Sequence, residues 1–384
     1  MKIALVILHA DPARGGAERY TIDLAETLAK RGHDVSLVAG GFADKPAGVS
    51  PVCLNIEAFS RLGQYEAFLD ALDRHLYVTP YDVVHAMLPV RRCHVYHPHA
   101  GIAAEAVASG HTKYRGRLAQ AAARVFNQLS TKRRRFAQVE SELLNAESKL
   151  PVVLCLSEYV KRTVRAHYPA SDERLVPLFN AVNLSRFDPE ARPRAGDELR
   201  SRLNIPDDAI VALTMAQDFE RKGLREAIEA LAKVDEERLV LVVVGRPDPS
   251  AYKRLARKLG IAQRILFAGA TKDPYAFYKA ADFFVLPTRH DPCSLVVLEA
   301  LAMGVPVIST TCNGACEVMG EGMEGFILDD PADVQRLAAA MRALLDPARR
   351  LEMREACLAL RPKLSDESHV EQLEEIYQRV RTST

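Results

Sequence analysis

The sequence lacks several features that would assign it quickly to a class of protein. No apolar run approaches the length of about 18 residues that a membrane-spanning helix needs. Neither sign of charge dominates, because 51 Lys and Arg face 50 Asp and Glu, so composition does not predict nucleic-acid binding. The 7 cysteines are scattered and form no Cys-x-x-Cys pair. We therefore expect a cytoplasmic protein with free thiols and no zinc site.

Common nucleotide-binding and metal-binding signatures are missing as well. Gly15 and Gly16 follow the first apolar run, but they form no Gly-x-Gly-x-x-Gly and no Walker lysine follows, which argues against a dinucleotide or P-loop fold. No Asp-x-Asp is present to hold a divalent ion on a nucleotide diphosphate. His97 and His99 have no third ligand at a suitable spacing. We expect no metal site.

What the chain does contain is a regular alternation of apolar β-rich runs and helical patterns. Its 384 residues, 48% of them hydrophobic, suffice for two ordinary domains. Repeated strand–helix units predict doubly wound parallel sheets with helices on both faces. We interpret residues 1–8 as the first buried strand, because a signal peptide needs a longer apolar core and a cleavage site. Ligands of such sheets bind beyond the carboxyl ends of the strands.

The pattern predicts strands at 2–9, 35–40, 82–87, 93–97, 152–157, 210–216, 239–245, 265–269, 283–287 and 305–310. A stretch rich in proline and charge, 188–197, indicates a linker. We expect an N-terminal domain over 1–187 with a helical insertion near 111–150, and a C-terminal domain over 188–365. Residues 366–384 are expected to form a helix that packs back on the first domain.

The insertion has an unusual charge pattern. Residues 111–139 contain eight Lys and Arg and no acid, with the apolar side chains on one face of a helical wheel. Two interpretations stay open: a surface helix packed on its own domain, or contact of 111–136 with anionic lipid, to which each basic residue contributes about 1 kcal/mol.

An isolated acid marks a candidate ligand site. From Leu295 to Met303 every residue is apolar except Glu299, and burying a lone carboxylate is costly. Ser294 is placed to cap this helix, whose N-terminal N–H groups would bind a phosphate. Glu299 would then accept hydrogen bonds from an attached ribose. The alternative is a glutamate that faces solvent at the rim.

Two cations form a second candidate. Arg221 and Lys222 precede a predicted helix that begins near Gly223, where positive charge opposes the helix dipole. This placement favours an anion such as a diphosphate, which Arg can bind through two oxygens and Lys as a point charge. The alternative is a pair of solvated loop charges.

Together these motifs resemble the retaining glycosyltransferases of family 4, whose GT-B fold consists of two facing Rossmann-like domains with a cleft between them. The resemblance rests on 15-GGAER, 31-RGHDVSLV and 219-FERKG, on 265-ILFAG, and most strongly on 286–319, LPTRHDPCSLVVLEALAMGVPVISTTCNGACEVM. The family signature in this last stretch is a Glu-x7-Glu pair. Asp291 occupies the first position here, and Glu299 the second.

The resemblance implies roles for these residues. The first acid would contact the hydroxyls of the donor sugar, and Glu299 the ribose. Because Asp291 is one methylene shorter than the family's glutamate, its contact would be lost, displaced or tuned to another donor. The family's histidine near the reacting sugar matches His99 or His97, with His99 preferred because Ala100 and Gly101 follow it.

Arg221 and Lys222 would bind the donor diphosphate together with backbone N–H groups of Ser294 and Leu295. The full expected donor site is Gly15, Gly16, Arg221, Lys222, Gly269, Asp291, Cys293, Ser294, Leu295 and Glu299. The expected catalytic set is His97, His99, Asp291 and Lys222.

The resemblance implies transfer of a hexosyl group from a UDP-sugar to a glycan or glycolipid hydroxyl, with retention and without metal or cofactor. The basic insertion is similar to that of lipopolysaccharide core glucosyltransferases, which implies work at the inner face of the cytoplasmic membrane. Two alternatives stay open: a non-catalytic nucleotide-sugar or membrane-surface binding protein, and a GT-B nucleotide-sugar epimerase.

Overall fold

The computed structural model describes residues 1–108, 130–146 and 150–382. The chain divides into two compact units. The first unit consists of Met1–Phe179 and the residues from His369 onward, and the second consists of Asn180–Ser368. We expected the division after residue 187. Residues 180–187 instead belong to the second unit, because the Val182 amide donates to the Leu364 carbonyl (2.8 Å) and the Val182 carbonyl accepts from the Asp366 amide (3.2 Å).

The first unit is built on a seven-stranded sheet, whose strands are numbered β1 to β7 in chain order. Across the sheet they follow the order β3-β2-β1-β4-β5-β6-β7. Every neighbouring pair of strands is parallel. In chain order the strands are Lys2–Ile7, Asp34–Ala39, Ser50–Cys53, Val83–Ala86, Val95–Tyr96, Val152–Cys155 and Leu175–Pro177. The helices of this unit include Gly16–Lys30, Arg61–Val78, Ala103–Ala108, Thr131–Leu144, Glu158–His167 and, except for its first turn, Asp366–Thr382.

The second unit contains a six-stranded parallel sheet in the order β10-β9-β8-β11-β12-β13. Its strands are Ile210–Met215, Leu239–Val244, Ile265–Gly269, Phe283–Val285, Val307–Thr310 and Gly325–Leu328. Its helices include Ala195–Arg202, Leu224–Leu231, Ser250–Lys258, Pro274–Ala280, Leu295–Ala302, Val334–Ala343, Pro347–Ala359 and Arg361–Leu364.

The expected fold class is confirmed, because both units are parallel sheets with helices between most successive strands. Central strands are apolar on both faces; all six residues of β9, Leu239–Val244, are buried. Such continuous apolar runs are typical of parallel sheets covered on two sides. The sequence pattern missed the edge strands β3, β7 and β13, which are short and only partly buried and therefore show no apolar run.

The stretch 188–197 is not a linker between the units. Helix Ala195–Arg202 begins inside it, and Ala195 and Gly196 are buried. A Cβ atom on Gly196 would meet the Lys279 carbonyl oxygen at 2.6 Å, so glycine allows this helix to pack closely on Pro274–Ala280. The charged and proline-rich composition predicted solvent exposure, whereas the small residues in it form a packing contact.

The basic insertion lies only partly within the described residues, since 111–129 fall outside them. Its described helix, Thr131–Leu144, buries Val139 and Leu143, and Arg135 donates to Glu66 at 2.5 Å. This part packs on its own unit. The choice between the two interpretations depends on 111–129 and stays open. No helix among the described residues combines the length and apolar character needed to cross a membrane.

Candidate functional site

A buried ion pair lies at the centre of the candidate site in the second unit. Lys222 lies in the turn after β8 and Asp291 in the loop after β11, and these strands are paired neighbours. The Lys222 ammonium donates to the Asp291 carboxylate, and their residues are only 9% and 6% exposed. Burial alone would raise the pKa of Asp291, but the charges of Lys222 and Arg221 hold it below its ordinary value. Asp291 is therefore a carboxylate at neutral pH.

Arg221 is held beside this pair by backbone contacts. Its guanidinium donates to the His290 carbonyl at 2.8 Å, and its own carbonyl accepts from the Arg289 amide at 3.0 Å. Gly223, which follows the two cations, has φ of +77° and approaches Pro287 so closely that a Cβ would lie 2.2 Å from the Pro287 carbonyl oxygen. Only glycine fits there, because it accepts both the left-handed backbone and the close approach.

The helix Leu295–Ala302 presents its N-terminus next to Asp291. Ser294 is the N-cap residue, yet its side chain does not cap the helix; it donates to Asp291 instead. The Ser294 amide donates to Asn313 Oδ1 at 3.2 Å, so the expected contact of this N–H group with a diphosphate is wrong: its hydrogen is already used within the protein. By helix geometry the N–H groups of Leu295 and Val296 have no acceptor within the helix, and both residues are partly exposed. A ligand phosphate could therefore accept from them.

Glu299 has a protein partner, which explains how an acid is accommodated in this apolar helix. It is half-buried, and the Tyr278 hydroxyl donates to its Oε2 at 2.7 Å. Tyr278 itself is 1% exposed, on helix Pro274–Ala280. The sequence analysis missed this tyrosine, since nothing in the pattern at 273–281 distinguishes it from a core aromatic residue.

Two asparagines that the sequence analysis also missed hold the loop before the helix. Asn313 Oδ1 accepts from the Ala315 amide at 3.1 Å as well as from Ser294. Asn180 donates to the Cys293 carbonyl at 2.8 Å. Cys293 is buried, and burial raises the pKa of its thiol, which makes it a packing residue here. Asn313 lies within the 286–319 motif, where an Asn-Gly pair is a turn signal that could have identified it.

The first unit holds a separate group of polar residues around the histidines. The turn containing His97 and His99 follows β5, at its carboxyl end as expected. His97 Nδ1 lies 3.2 Å from His85 Nε2, and His85 Nδ1 lies 2.6 Å from the Tyr377 hydroxyl. The Tyr20 ring packs 4.6 Å from the His99 ring. Burial lowers the pKa of His85 to about 3 and that of His97 well below its ordinary value, so both imidazoles are neutral.

A buried carboxylate fixes both ends of this histidine turn. Glu140, on the described helix of the insertion, is fully buried. It accepts from the Tyr96 hydroxyl at 2.5 Å and from the Ala103 and Ala104 amides at 3.0 Å each. Tyr168 supplies a fourth donor at 2.9 Å. Tyr96 precedes the histidine turn and Ala103 begins the helix after it, so the insertion helps to position the turn.

The predicted glycines occupy different settings. Gly15 caps helix Gly16–Lys30 with extended φ and ψ of 177° and −175°, which any residue can adopt. Gly269 has φ of +73° at the end of β10, a conformation that favours glycine. The role of Gly269 in the donor site stays a prediction.

The predicted site residues thus form two groups. In the second unit Arg221, Lys222, Asp291, Cys293, Ser294 and Leu295 come together, with Glu299 one turn further along the helix. In the first unit His97 and His99 are adjacent, and the helix that begins at Gly16 contacts them through Tyr20. Among the described residues, no group of three or more His, Cys, Asp or Glu side chains is arranged to hold a metal ion.

Comparison with known proteins identifies the family. The model described as Glycosyltransferase Family 4 matches residues 14–186, and the model described as Glycosyl transferases group 1 matches residues 196–357. The chain belongs to the GT-B glycosyltransferases. It is 25% identical over 335 residues to the lipopolysaccharide glucosyltransferase WaaG of Escherichia coli K12, and the alignment covers 86% of each chain.

Other relatives of this glycosyltransferase match over a shorter span. The lipopolysaccharide core biosynthesis glycosyltransferase LpsE of Rhizobium meliloti is 33% identical over 186 residues, which cover 48% of this chain and 51% of that protein. The crystal structure of WaaG superposes with a TM-score of 0.81 at 23% identity, covering 96% and 98% of the two chains. Anabaena HepE in complex with UDP and glucose gives 0.72 at 20% identity, covering 98% of each. At these identities the structures show a shared fold.

Proposed function

We propose that this glycosyltransferase moves a hexosyl group from a UDP-sugar to a hydroxyl of a glycan or glycolipid, with retention of anomeric configuration. The observation that carries the proposal is the buried Lys222–Asp291 pair beside the helix N-terminus at Leu295. This arrangement combines cations and N–H donors for a diphosphate with a charged carboxylate for sugar hydroxyls.

The diphosphate is the group on which negative charge develops as the bond to the sugar breaks. Arg221, Lys222 and the N–H groups of Leu295 and Val296 would stabilise that charge, and donors placed in advance are the most effective source of rate enhancement. Because these groups neutralise the diphosphate without a divalent ion, we propose metal-independent transfer.

Asp291 would exchange one partner for another when the donor binds. Its carboxylate is charged and paired with Lys222. As the diphosphate engages Lys222, the sugar hydroxyls would donate to Asp291 and replace the lost hydrogen bond. The aspartate side chain, one methylene shorter than the family's glutamate, is suited to this ion pair with Lys222. A covalent sugar–carboxylate intermediate is not part of this proposal, since Asp291 would accept hydrogen bonds from the sugar hydroxyls.

Glu299 would bind the ribose of the nucleotide. The Tyr278 hydroxyl orients its carboxylate, and an oriented carboxylate can accept from both hydroxyls of a ribose diol. A ribose contact also agrees with the position of Glu299 one turn beyond the N–H groups assigned to the phosphates.

The acceptor we propose is an anionic glycolipid of lipopolysaccharide core type at the inner face of the cytoplasmic membrane. Burial and the nearby charges of Arg61 and Arg14 lower the pKa of Lys132, which indicates that these cations lie close together. The sequence contains no Asp or Glu between Glu105 and Glu140, so Lys132 has no acid within a turn of its own helix. The named function of WaaG supports the same acceptor class.

The test begins with binding and then measures transfer. UDP- and GDP-sugars are screened by the shift in melting temperature; a ligand at 100 times its Kd adds about 2.7 kcal/mol to stability. Release of UDP is then followed with and without a core glycolipid, in EDTA and in manganese, and the anomeric configuration of the product is assigned by NMR.

We expect one UDP-sugar to stabilise the chain and UDP release to rise with the acceptor, unchanged by EDTA. Stabilisation by no nucleotide sugar contradicts the proposal. Binding without release, even with acceptor, indicates a non-catalytic binding protein, and conversion of the sugar nucleotide without acceptor indicates an epimerase.

A further inference from the structure

The candidate site of the second unit is formed by two neighbouring loops. The β8 loop, residues 216–223, leads from β8 into the helix that begins at Leu224. The β11 loop, residues 286–294, leads from β11 into the helix that begins at Leu295. Strands β8 and β11 are parallel and paired, so both loops leave the sheet side by side at its carboxyl edge. Groups on both loops can meet one ligand only if the loops keep a fixed alignment.

One group of links between the two loops uses side chains that we have assigned to the donor. The Lys222 ammonium donates to the Asp291 carboxylate. The Arg221 guanidinium donates to the His290 carbonyl at 2.8 Å. Both cations are proposed to bind the diphosphate. When they turn to the diphosphate, these two links between the loops are weakened or lost.

A second group of links centres on Arg289. Its backbone amide donates to the Arg221 carbonyl at 3.0 Å, and its guanidinium donates to Glu226 Oε1 at 2.6 Å. Thr288 Oγ1 donates to the same Arg221 carbonyl at 3.2 Å. Glu226 lies in the first turn of the helix that follows the β8 loop. None of these contacts uses a group assigned to the donor, so they can persist while the diphosphate is bound.

The Arg289–Glu226 ion pair is buried, which a purely structural role does not require. Glu226 is 2% exposed and the Arg289 side chain 14%. Well-packed apolar side chains often stabilise a fold as well as a buried ion pair does. The other buried residues of the same helix are apolar, namely Leu224, Ala227, Ile228, Ala230 and Leu231. What a charge-assisted hydrogen bond adds is a defined geometry between the two segments that it joins.

We propose that Arg289 and Glu226 are positioning residues that keep the β8 and β11 loops aligned while the diphosphate of the donor occupies the cations of the site. This inference rests on the proposed function. The pair acts through Lys222 and Asp291, whose mutual contact fixes the alignment only as long as no diphosphate takes the ammonium. The pair therefore matters most during transfer, when a displacement of about 1 Å is enough to lower the rate about 100-fold.

The opposite end of β11 provides a matched control. Asp282 directly precedes this strand and pairs with Arg200 at 2.8 Å. Its carboxylate also accepts from the Val211 amide at 2.8 Å. Asp282→Asn and Glu226→Gln each change the acid of an ion pair into its amide, and both should lower stability. Only Glu226→Gln acts on the alignment of the two loops.

The experiment compares amide exchange with turnover. The amide at position 289 reports the alignment directly, because its acceptor, the Arg221 carbonyl, lies on the other loop. Its hydrogen-exchange rate is measured by NMR on the 15N-labelled full-length chain, with and without saturating UDP. The proteins are the wild type, Glu226→Gln, Glu226→Gln/Arg289→Met and Asp282→Asn. Melting temperatures, and kcat with the UDP-sugar that stabilises the chain, are measured on the same preparations.

We expect the amide at position 289 to exchange slowly in the wild type under both conditions. In Glu226→Gln/Arg289→Met it should exchange as in the wild type without UDP, and about tenfold faster than in the wild type with UDP, the loss typical of one hydrogen bond. The kcat of this variant should fall about 100-fold. Its melting temperature should stay within about 3 °C of the wild type, because no buried charge is left unpaired.

The single variants separate alignment from stability. Glu226→Gln should show the same changes in exchange and kcat to a smaller extent. Asp282→Asn should lower the melting temperature and leave kcat unchanged, and UDP should not accelerate exchange at position 289. If Glu226→Gln/Arg289→Met does not fold, Glu226→Gln, which keeps the size of the side chain, decides the question.

A wild-type kcat in Glu226→Gln/Arg289→Met, with slow exchange in UDP, overturns the proposal. So does fast exchange in this variant that is the same with and without UDP, since the pair is then an ordinary structural contact. A kcat that falls with the melting temperature in Asp282→Asn as well leads to the same conclusion. Failure of the wild type to bind UDP defeats the proposed function and this inference with it, whereas failure of this inference alone leaves UDP binding and transfer intact.

Discussion

The polar networks around the predicted site residues differ in charge between the two units. In the first unit His85, His97 and His369 are buried as neutral imidazoles joined to tyrosine hydroxyls. In the second unit two ion pairs lie at the corresponding place, Lys222–Asp291 and Arg289–Glu226, the latter at 2.6 Å. Both solutions meet the same constraint, because an unpaired charge cannot be taken out of water without a large cost.

The difference indicates what each unit can do. A neutral network holds side chains in fixed orientations without attracting ions, which suits the placement of a sugar hydroxyl. A charged pair beside a helix N-terminus can exchange its partner for an anion, which suits the binding of a diphosphate. We therefore expect the ion pair of the second unit, and not the neutral network of the first, to bind phosphate.

The largest effect is expected when the Lys222–Asp291 ion pair of the second unit is replaced by neutral side chains. In the double variant Lys222→Met/Asp291→Asn both charges disappear together, so no buried charge is left unpaired and stability should stay within about 1 kcal/mol of the wild type. Transfer should fall about 100- to 1,000-fold, because a donor to the diphosphate is lost. Turnover and thermal unfolding are measured on the same preparation.

The matched control for this variant is Lys233→Met, which removes an exposed lysine of the same unit and should change neither quantity. Transfer near the wild-type rate by the folded double variant would show that the charges are dispensable and remove the distinction between the two units. Lys222→Ala alone should also lose stability, since it leaves the Asp291 carboxylate buried without its partner.

A smaller effect is expected from substitutions at Glu299 and at Tyr278, whose hydroxyl donates to the Glu299 carboxylate. Glu299→Ala should weaken UDP binding by about 1.5–3 kcal/mol, the range for hydrogen bonds to a charged group. Tyr278→Phe should weaken it less, because the carboxylate stays but loses its orientation. Isothermal calorimetry with UDP measures both changes.

The nucleotide dUDP serves as the control ligand, since it lacks the 2′-hydroxyl that the carboxylate would bind. The wild type and Glu299→Ala should differ less in their affinity for dUDP than for UDP. Equal losses with the two nucleotides would argue that Glu299 acts on the phosphates or on the fold, and not on the ribose.

Acidification should charge the first unit's neutral network and so lower the stability of the chain. Burial lowers the pKa of His369 from 6.5 to about 4, so between these values the unfolded chain binds a proton that the folded chain does not. The free energy of unfolding should therefore fall as the pH decreases from 6.5 to 4, by up to about 1.4 kcal/mol per unit for this histidine.

The variant His369→Gln isolates that contribution. Its free energy of unfolding, measured by urea titration at several pH values, should depend less steeply on pH than that of the wild type. Contributions of carboxylates are common to both proteins and cancel in the difference. Parallel curves for the two proteins would mean that His369 takes up a proton equally in the folded and unfolded chains.

The candidate site in the second unit could be found from sequence because its residues are close in the chain or end neighbouring strands. Asp291, Ser294 and Glu299 lie within nine residues, and Lys222 follows the strand paired with the one before Asp291. The mutual pairing of Lys222 and Asp291 could not be found in this way. They are 69 positions apart, and each looked like a ligand contact in its own right.

The histidine network of the first unit gave no such signal. Tyr20, His85, His97 and Tyr377 come from widely separated segments, and His85 lies within the apolar strand β4, where it looks like an ordinary core position. Its partner Tyr377 is 292 positions away. Glu140 was missed for a related reason, because its donors lie at the ends of three different elements.

The features of this protein that depend on residues close together in the chain can be inferred from its sequence alone. Apolar periodicity determined the two parallel sheets, and spacing along one loop and helix determined the phosphate-binding candidate, because both depend on neighbours in the chain. Only tertiary structure decided the partners of the buried polar groups, the limit between the units at Phe179 and the packing role of 195–202. Those features depend on which segments, distant in the chain, pack together and exclude water. The periodicity of apolar residues does not determine that packing.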